Sequence, residues 1–320
     1  MGWSAEQDAR DKPKPRHPRR RSLSFDNGTV IRFSVLFMRS TDLIDFAEAS
    51  RFLEATIART EIRATGHAIL REVGHYLTDG TPPRALTQIA IRMPPRLCAV
   101  SLDGQNGSGK TYLAKRLQAA IAARQLNAFI PDIPTDPITA SLIKASRQIG
   151  QSAFYLYDPY IDPLVCGLRL LRKIDMVYAD PKAQIVIFDR YKLSTLMLQE
   201  FFLEVPPELI ALPATYHPVV ETHETRTVYR EWLRTLLDIL PDPHLAFHLH
   251  CSTETQAERL RQRRRPDSLV PASMMALQAF GHFALAWCAN RQSRVTPIDT
   301  TANTEPETPV LQEIMALLQP

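Results

Sequence analysis

The stretch that most constrains this chain is Gly104-Gln105-Asn106-Gly107-Ser108-Gly109-Lys110-Thr111, which fits the phosphate-loop template G-x-x-x-x-G-K-[ST] at every fixed position. Glycines let the backbone curl so that successive N–H groups converge on one anion, and a helix that follows adds the positive end of its dipole. The flanks supply that context. Residues 97–102 (Leu-Cys-Ala-Val-Ser-Leu) form an apolar run of strand length, and residues 112–124 carry apolar side chains at helical spacing. Strand, glycine turn and helix together predict a loop in which every residue from Gly104 to Thr111 lines a nucleotide phosphate site. Lys110 is expected to reach the β- and γ-phosphates and the Thr111 hydroxyl to ligate Mg²⁺, so ATP and Mg²⁺ are the expected cofactors.

The rest of the chain alternates strand and helix. Residues 128–133, 184–188, 244–250 and 294–298 read as strands. Helical patterns cover most of 138–179, then 192–203, 226–240, 253–264, 272–290 and 307–318. This alternation predicts an α/β fold, a three-layer sandwich around a five-stranded parallel sheet, with the phosphate loop at the carboxyl edge of the first central strand. Ahead of it, residues 1–22 are charged, proline-bearing and nearly free of apolar groups, which predicts a disordered basic tail. Residues 22–38 alternate around Asp26-Asn27-Gly28, a hairpin signal. Residues 41–77 read as helical, with a break expected at Gly66. The expected division is a tail over 1–22, a small α+β extension over 23–95 and the phosphate-loop domain over 96–320.

Composition narrows the partners. The net charge is +4, and much of the positive excess sits at residues 16–21 and 259–265, a tail and a phosphate-facing loop rather than a nucleic-acid stripe. No apolar run reaches 18 residues and the N-terminus has no apolar signal core, so neither a membrane span nor secretion is expected. The four cysteines form no C-x-x-C pair, which fits reduced thiols and a cytoplasmic location. His248-x-His250 beside Cys251 has no third ligand at sensible spacing, so zinc is not expected there.

The second constellation is Val186-Ile187-Phe188-Asp189, an apolar strand ending in a carboxylate, followed at once by Arg190 and Tyr191. A carboxylate there suits Mg²⁺ or its water, and an arginine beside it can grip a phosphate bidentately.

With that segment the chain resembles a known family. Asp189-Arg190-Tyr191-x-x-Ser194-Thr195-x-x-x-Gln199 is similar to the D-R-[YH]-x-x-S-[ST]-x-x-x-Q stretch of bacterial thymidylate kinases, P-loop nucleoside monophosphate kinases. Ser101-Leu102-Asp103-Gly104 resembles that family's opening strand. Residues 245–265, with Glu258-Arg259-Leu260 and the arginines beyond, resemble its strand, helix and arginine-rich lid, and Thr296-Pro297-Ile298-Asp299 its last strand. The resemblance covers about residues 97–318. It implies a kinase using MgATP, with Lys110, Thr111 and Asp189 holding the donor and its metal. On the acceptor side it implies Arg190 on the acceptor phosphate, Asn106 toward the acceptor sugar, and Tyr191, Ser194 and Gln199 lining the acceptor. Arg259, Arg263 and Arg265 match lid positions. Because Gly107 stands where some family members carry a loop arginine, the lid is expected to supply that cation.

Three departures bear on the acceptor. Asn106 replaces the family's carboxylate, its R-E-P-G-G loop is reduced to Thr135-Asp136-Pro137, and its helix arginine is replaced at Asp158-Pro159. The expected activity is therefore ATP-dependent phosphoryl transfer to a nucleoside monophosphate or related small acceptor. The alternatives are a nucleoside or other small-molecule kinase and, from another class, a nucleotide-binding switch or ATPase whose N-terminal extension recruits a partner. A homodimer is compatible with all three.

Overall fold

A computed structural model describes residues 23–24, 30–31, 46–79, 91–131, 161–204, 223–262, 274–290, 295–302 and 305–318. The expected tail, most of the expected hairpin, the segments 132–160 and 205–222, and the stretch that holds Arg263 and Arg265 lie outside these residues.

In chain order the described elements are β1 (Leu23–Ser24), β2 (Val30–Ile31), α1 (Phe46–Thr56), α2 (Thr60–Asp79), β3 (Cys98–Gly104), α3 (Lys110–Ala122), β4 (Ala128–Phe129) and α4 (Ile161–Ala179). They continue with β5 (Ile185–Asp189), α5 (Lys192–Glu204), α6 (His223–Asp238), β6 (Leu245–His250), α7 (Thr253–Gln262), α8 (Met274–Ala289), β7 (Thr296–Asp299) and α9 (Glu307–Leu318). β1 and β2 form a separate antiparallel pair, Leu23 opposite Ile31. The other five strands form one parallel sheet in the order β4-β5-β3-β6-β7, with helices on both faces. β3 lies at the centre of the sheet and is buried along its whole length. It pairs Val100 with Ile187 on one side and with Leu245 on the other. The strand order reverses at β3, so the connections out of β3 and β5 diverge and leave a crevice above their carboxyl ends.

Side chains alternate across the sheet, and the two faces differ in chemistry. Cys98, Val100, Leu102, Ile185, Ile187, Phe247, Leu249 and Ile298 pack under α3 and α9 against Leu113, Leu117, Ile121, Val310 and Ile314. The opposite face carries Ala99, Val186 and Phe188 under α4 and α6, but also the buried polar residues Ser101, Asp103 and His248.

The N-terminal helices share that second core: Leu53, Ile57, Ile62 and Ile69 cluster with Leu168, Leu171 and Ile174 of α4 and Leu233 and Leu236 of α6. The helix break is not at Gly66. It falls at residues 57–59, where Ala58 and Arg59 donate their N–H groups to the buried Asp175 carboxylate at 3.4 and 3.2 Å. Arg172 holds that carboxylate at 2.8 Å and also donates to the Thr56 carbonyl. A carboxylate at a helix start satisfies its free N–H groups and meets the positive dipole end, so this contact from α4 sets where α2 begins. Gly66 lies inside α2 for another reason. A Cβ there would come within 3.0 Å of Leu53 Cδ1, so the glycine allows α1 and α2 to pack closely.

Candidate functional site

The phosphate loop leaves β3 at Gly104, whose φ of +133° and close approach to the Leu249 carbonyl (2.2 Å from a Cβ placed there) admit no side chain. Gly107 follows at φ +85° and packs on Gln256 of α7. The loop is braced by three residues, two on α7 and one just past β7. Gln256 Nε2 donates to Gln105 Oε1 at 2.8 Å and to the Asn106 carbonyl at 2.6 Å. Arg259 donates to the Gly107 carbonyl at 3.3 Å and to the Thr300 hydroxyl and carbonyl at 3.1 and 2.7 Å. Thr300, just past β7, donates its hydroxyl proton to the Ser108 or the His250 carbonyl. Arg259 therefore brings a cation to Gly107, the loop position that lacks one. Lys110 begins α3, and its ammonium donates to the Gln105 carbonyl at 2.5 Å and to the Ser108 hydroxyl at 3.3 Å.

Asp189 ends β5 beside this loop, and the Thr111 hydroxyl donates to its Oδ2 at 2.5 Å. Two hard oxygen donors from different elements thus meet at the start of α3, the kind of pair that suits Mg²⁺. Arg190 follows with a left-handed backbone, φ +66°. That conformation, uncommon for a non-glycine residue, turns the guanidinium back over the loop, where it donates to the Gly104 carbonyl at 3.2 Å and to Asn106 Oδ1.

The expected acceptor residues part ways. Tyr191 is 1 % exposed, stacked on Phe188 with centroids 4.3 Å apart, and donates its hydroxyl to the Pro241 carbonyl at 2.9 Å. Its side chain packs into the core, the left-handed turn at Arg190 directing the next residue inward. Ser194 is buried too, its N–H donating to Asp103. Gln199 lies on α5, with its side chain outside the described residues, as are Arg263 and Arg265.

Three residues around this turn escaped sequence reasoning. Asp103 accepts the N–H groups of Tyr191 and Ser194 at 3.0 and 2.8 Å on one oxygen. Lys173 of α4 donates to the carbonyls of Asp189 and Arg190 at 2.6 and 2.8 Å. Part of its side chain stays exposed, yet burial is the leading cause that lowers its pKa from 10.5 to about 8, and Arg169 and Arg190 push the same way. Arg169, one helical turn before Lys173 and exposed, lies within electrostatic reach of Lys173, as Arg190 does. The signal that could have found the pair is the spacing of Arg169 and Lys173, four apart on the helix leading into β5.

Beside the loop, an open cleft of about 680 Å³ is lined by Gln105, His250, Ser252, Gln278, His282 and Thr301. It has the size of a small-molecule site. Among the described residues, no helix is long and apolar enough to cross a membrane, and Cys98, Cys166, Cys251 and Cys288 form no disulfide with one another.

No protein-family model matches this sequence, and comparison with curated proteins gives no match either. Among solved structures the chain is similar to deoxyadenosine kinase from M. mycoides with bound dCTP, at 12 % identity and a TM-score of 0.45, covering 68 % of this chain and 99 % of that one. The same kinase with bound dATP gives 11 % identity and a TM-score of 0.46 over the same shares.

Proposed function

We propose that this chain is a P-loop kinase that transfers the γ-phosphoryl group of MgATP to a nucleoside monophosphate or a related small acceptor such as a nucleoside. The observation that carries this reading is the meeting of Lys110, Thr111, Asp189 and Arg190 at one edge of the sheet. A loop that only binds nucleotide needs the first three. An arginine turned back over the loop by a strained backbone supplies a further cation at Gly104 and Asn106, where an acceptor would approach.

In this reading the backbone N–H groups of residues 104–111 and the α3 dipole hold the β- and γ-phosphates, and Lys110 moves from the Gln105 carbonyl onto them. Thr111 and Asp189 would hold Mg²⁺, which offsets phosphate charge. Arg259 faces the donor at Gly107. Arg190 grips the acceptor in place of the arginines that the resemblance leaves unmatched. Little covalent work falls to the protein: catalysis is positioning in line and cationic charge where the transition state spreads negative charge. Arg263, Arg265 and Gln199 keep the roles the resemblance implies, on the lid and toward the acceptor. A cytoplasmic location accords with four scattered cysteines that form no C-x-x-C pair.

The test is ADP release from MgATP with a panel of nucleosides and nucleoside monophosphates. Turnover that requires one class of acceptor supports the kinase. Turnover indifferent to every acceptor would instead mark an ATPase or switch. Lys110→Ala should lower turnover by about 10²–10³-fold, the usual cost of losing a charge that stabilises a transition state.

A further inference from the structure

We infer that Lys173 is a positioning residue: its ammonium, by holding the carbonyls of Asp189 and Arg190, fixes both the carboxylate that meets Thr111 and the guanidinium that lies over the phosphate loop. This rests on the kinase reading above and adds a residue that touches neither the phosphate loop nor the side chains it aims.

The turn from Asp189 to Ser194 is held by opposite charges on its two kinds of backbone group. Asp103 Oδ1 takes the N–H groups of Tyr191 and Ser194, and Lys173 Nζ gives protons to the two carbonyls before them. Arg190 N–H is tied separately to the Leu102 carbonyl at 3.1 Å. Charged partners make hydrogen bonds about twice as strong as neutral ones, which suits a turn that must keep Arg190 at φ +66°. A left-handed non-glycine residue costs about 1 kcal/mol or more, so without its holders the turn relaxes toward ordinary φ. Rotating the Arg190 peptide would carry the guanidinium away from Gly104 and Asn106 and shift Asp189 at the same time. Lys173 reaches the turn from α4, whose Arg172 and Asp175 anchor α1 and α2, so its stem leaves a fixed helix.

The experiment compares Lys173→Met, which keeps the stem and removes the charge, with Lys173→Arg, which keeps a cationic donor. Three quantities are read: acceptor kinetics with the panel compound the unmodified protein uses best, binding of metal-free ADP, and amide hydrogen exchange of a peptide spanning residues 189–195. Lys173→Met should raise the acceptor KM or lower kcat by about 30-fold in kcat/KM, as expected for lost charge-assisted hydrogen bonds. Metal-free ADP should bind within threefold of the unmodified protein, and the 189–195 peptide should exchange about tenfold faster or more. Lys173→Arg should recover most of both. Unchanged exchange and acceptor kinetics in a folded Lys173→Met would overturn the inference, as would equal losses of ADP binding and acceptor use. If Lys173→Met does not fold, Lys173→Gln takes its place under the same expectations. Should the unmodified protein use no acceptor, the kinase reading fails alone, because the exchange result still decides the role of Lys173.

Discussion

The two faces of the central sheet do different work. Under α3 and α9 the buried strand side chains are apolar and packed, from Val100 and Leu102 to Ile298. Across the sheet, Ser101, Asp103 and His248 are buried polar groups, and Ser194 of α5 joins them. Ser101 Oγ, Asp103 Oδ2, Ser194 Oγ and both His248 ring nitrogens have no hydrogen-bond partner among the described residues. Buried polar atoms of this kind lower stability unless something offsets them. Asp103 shows what is gained: its other oxygen organises the turn that aims Arg190. One face supplies stability, and the other gives some of it up to hold the site.

Three changes would break or sharpen this contrast. The largest effect belongs to the dry face, where Leu117→Ala removes a fully buried side chain and should cost about 3–4 kcal/mol. Chemical denaturation measures it, and acceptor KM per folded molecule should not move. The next comes from His248. Burial first, then the nearby charges of His250 and Lys110, pushes its pKa from 6.5 down to about 4. The unfolded chain therefore binds the proton that the folded chain refuses between those values, and stability falls as pH drops from about 6.5 to 4. The loss should be on the order of 2–3 kcal/mol at the acid end. His248→Leu should flatten that part of the denaturation profile, and an unchanged slope would remove His248 from the account. The smallest is Asp103→Asn, which keeps an acceptor oxygen but no charge. It should cost about 1–2 kcal/mol, and unlike Leu117→Ala it should also raise the acceptor KM.

Much of this was legible in the sequence where the signal is local. The apolar runs at β3 and β5 and the fixed positions of the phosphate loop announce strands and a turn because each depends on neighbours a few residues away. What could not be read depends on contacts across the fold. Gly66 looked like a helix stop, yet it sits inside α2, where Leu53 packs against it, and α2 begins just after Asp175, more than a hundred residues later, takes the N–H groups of Ala58 and Arg59. The resemblance implied Tyr191 toward the acceptor, but its side chain lies in the core after the left-handed Arg190. Lys173 and Asp103 were silent because their partners are backbone groups, which carry no mark in the sequence.

The central claim is that the phosphate loop holds a donor while Arg190 holds an acceptor. Steady-state kinetics of Arg190→Ala with the best panel acceptor, set beside ADP binding by calorimetry, test it most directly. The account predicts a fall of about 10²–10³-fold in kcat/KM for the acceptor, with the dissociation constant for ADP within threefold of the unmodified protein. Acceptor kinetics left unchanged by that substitution would contradict it.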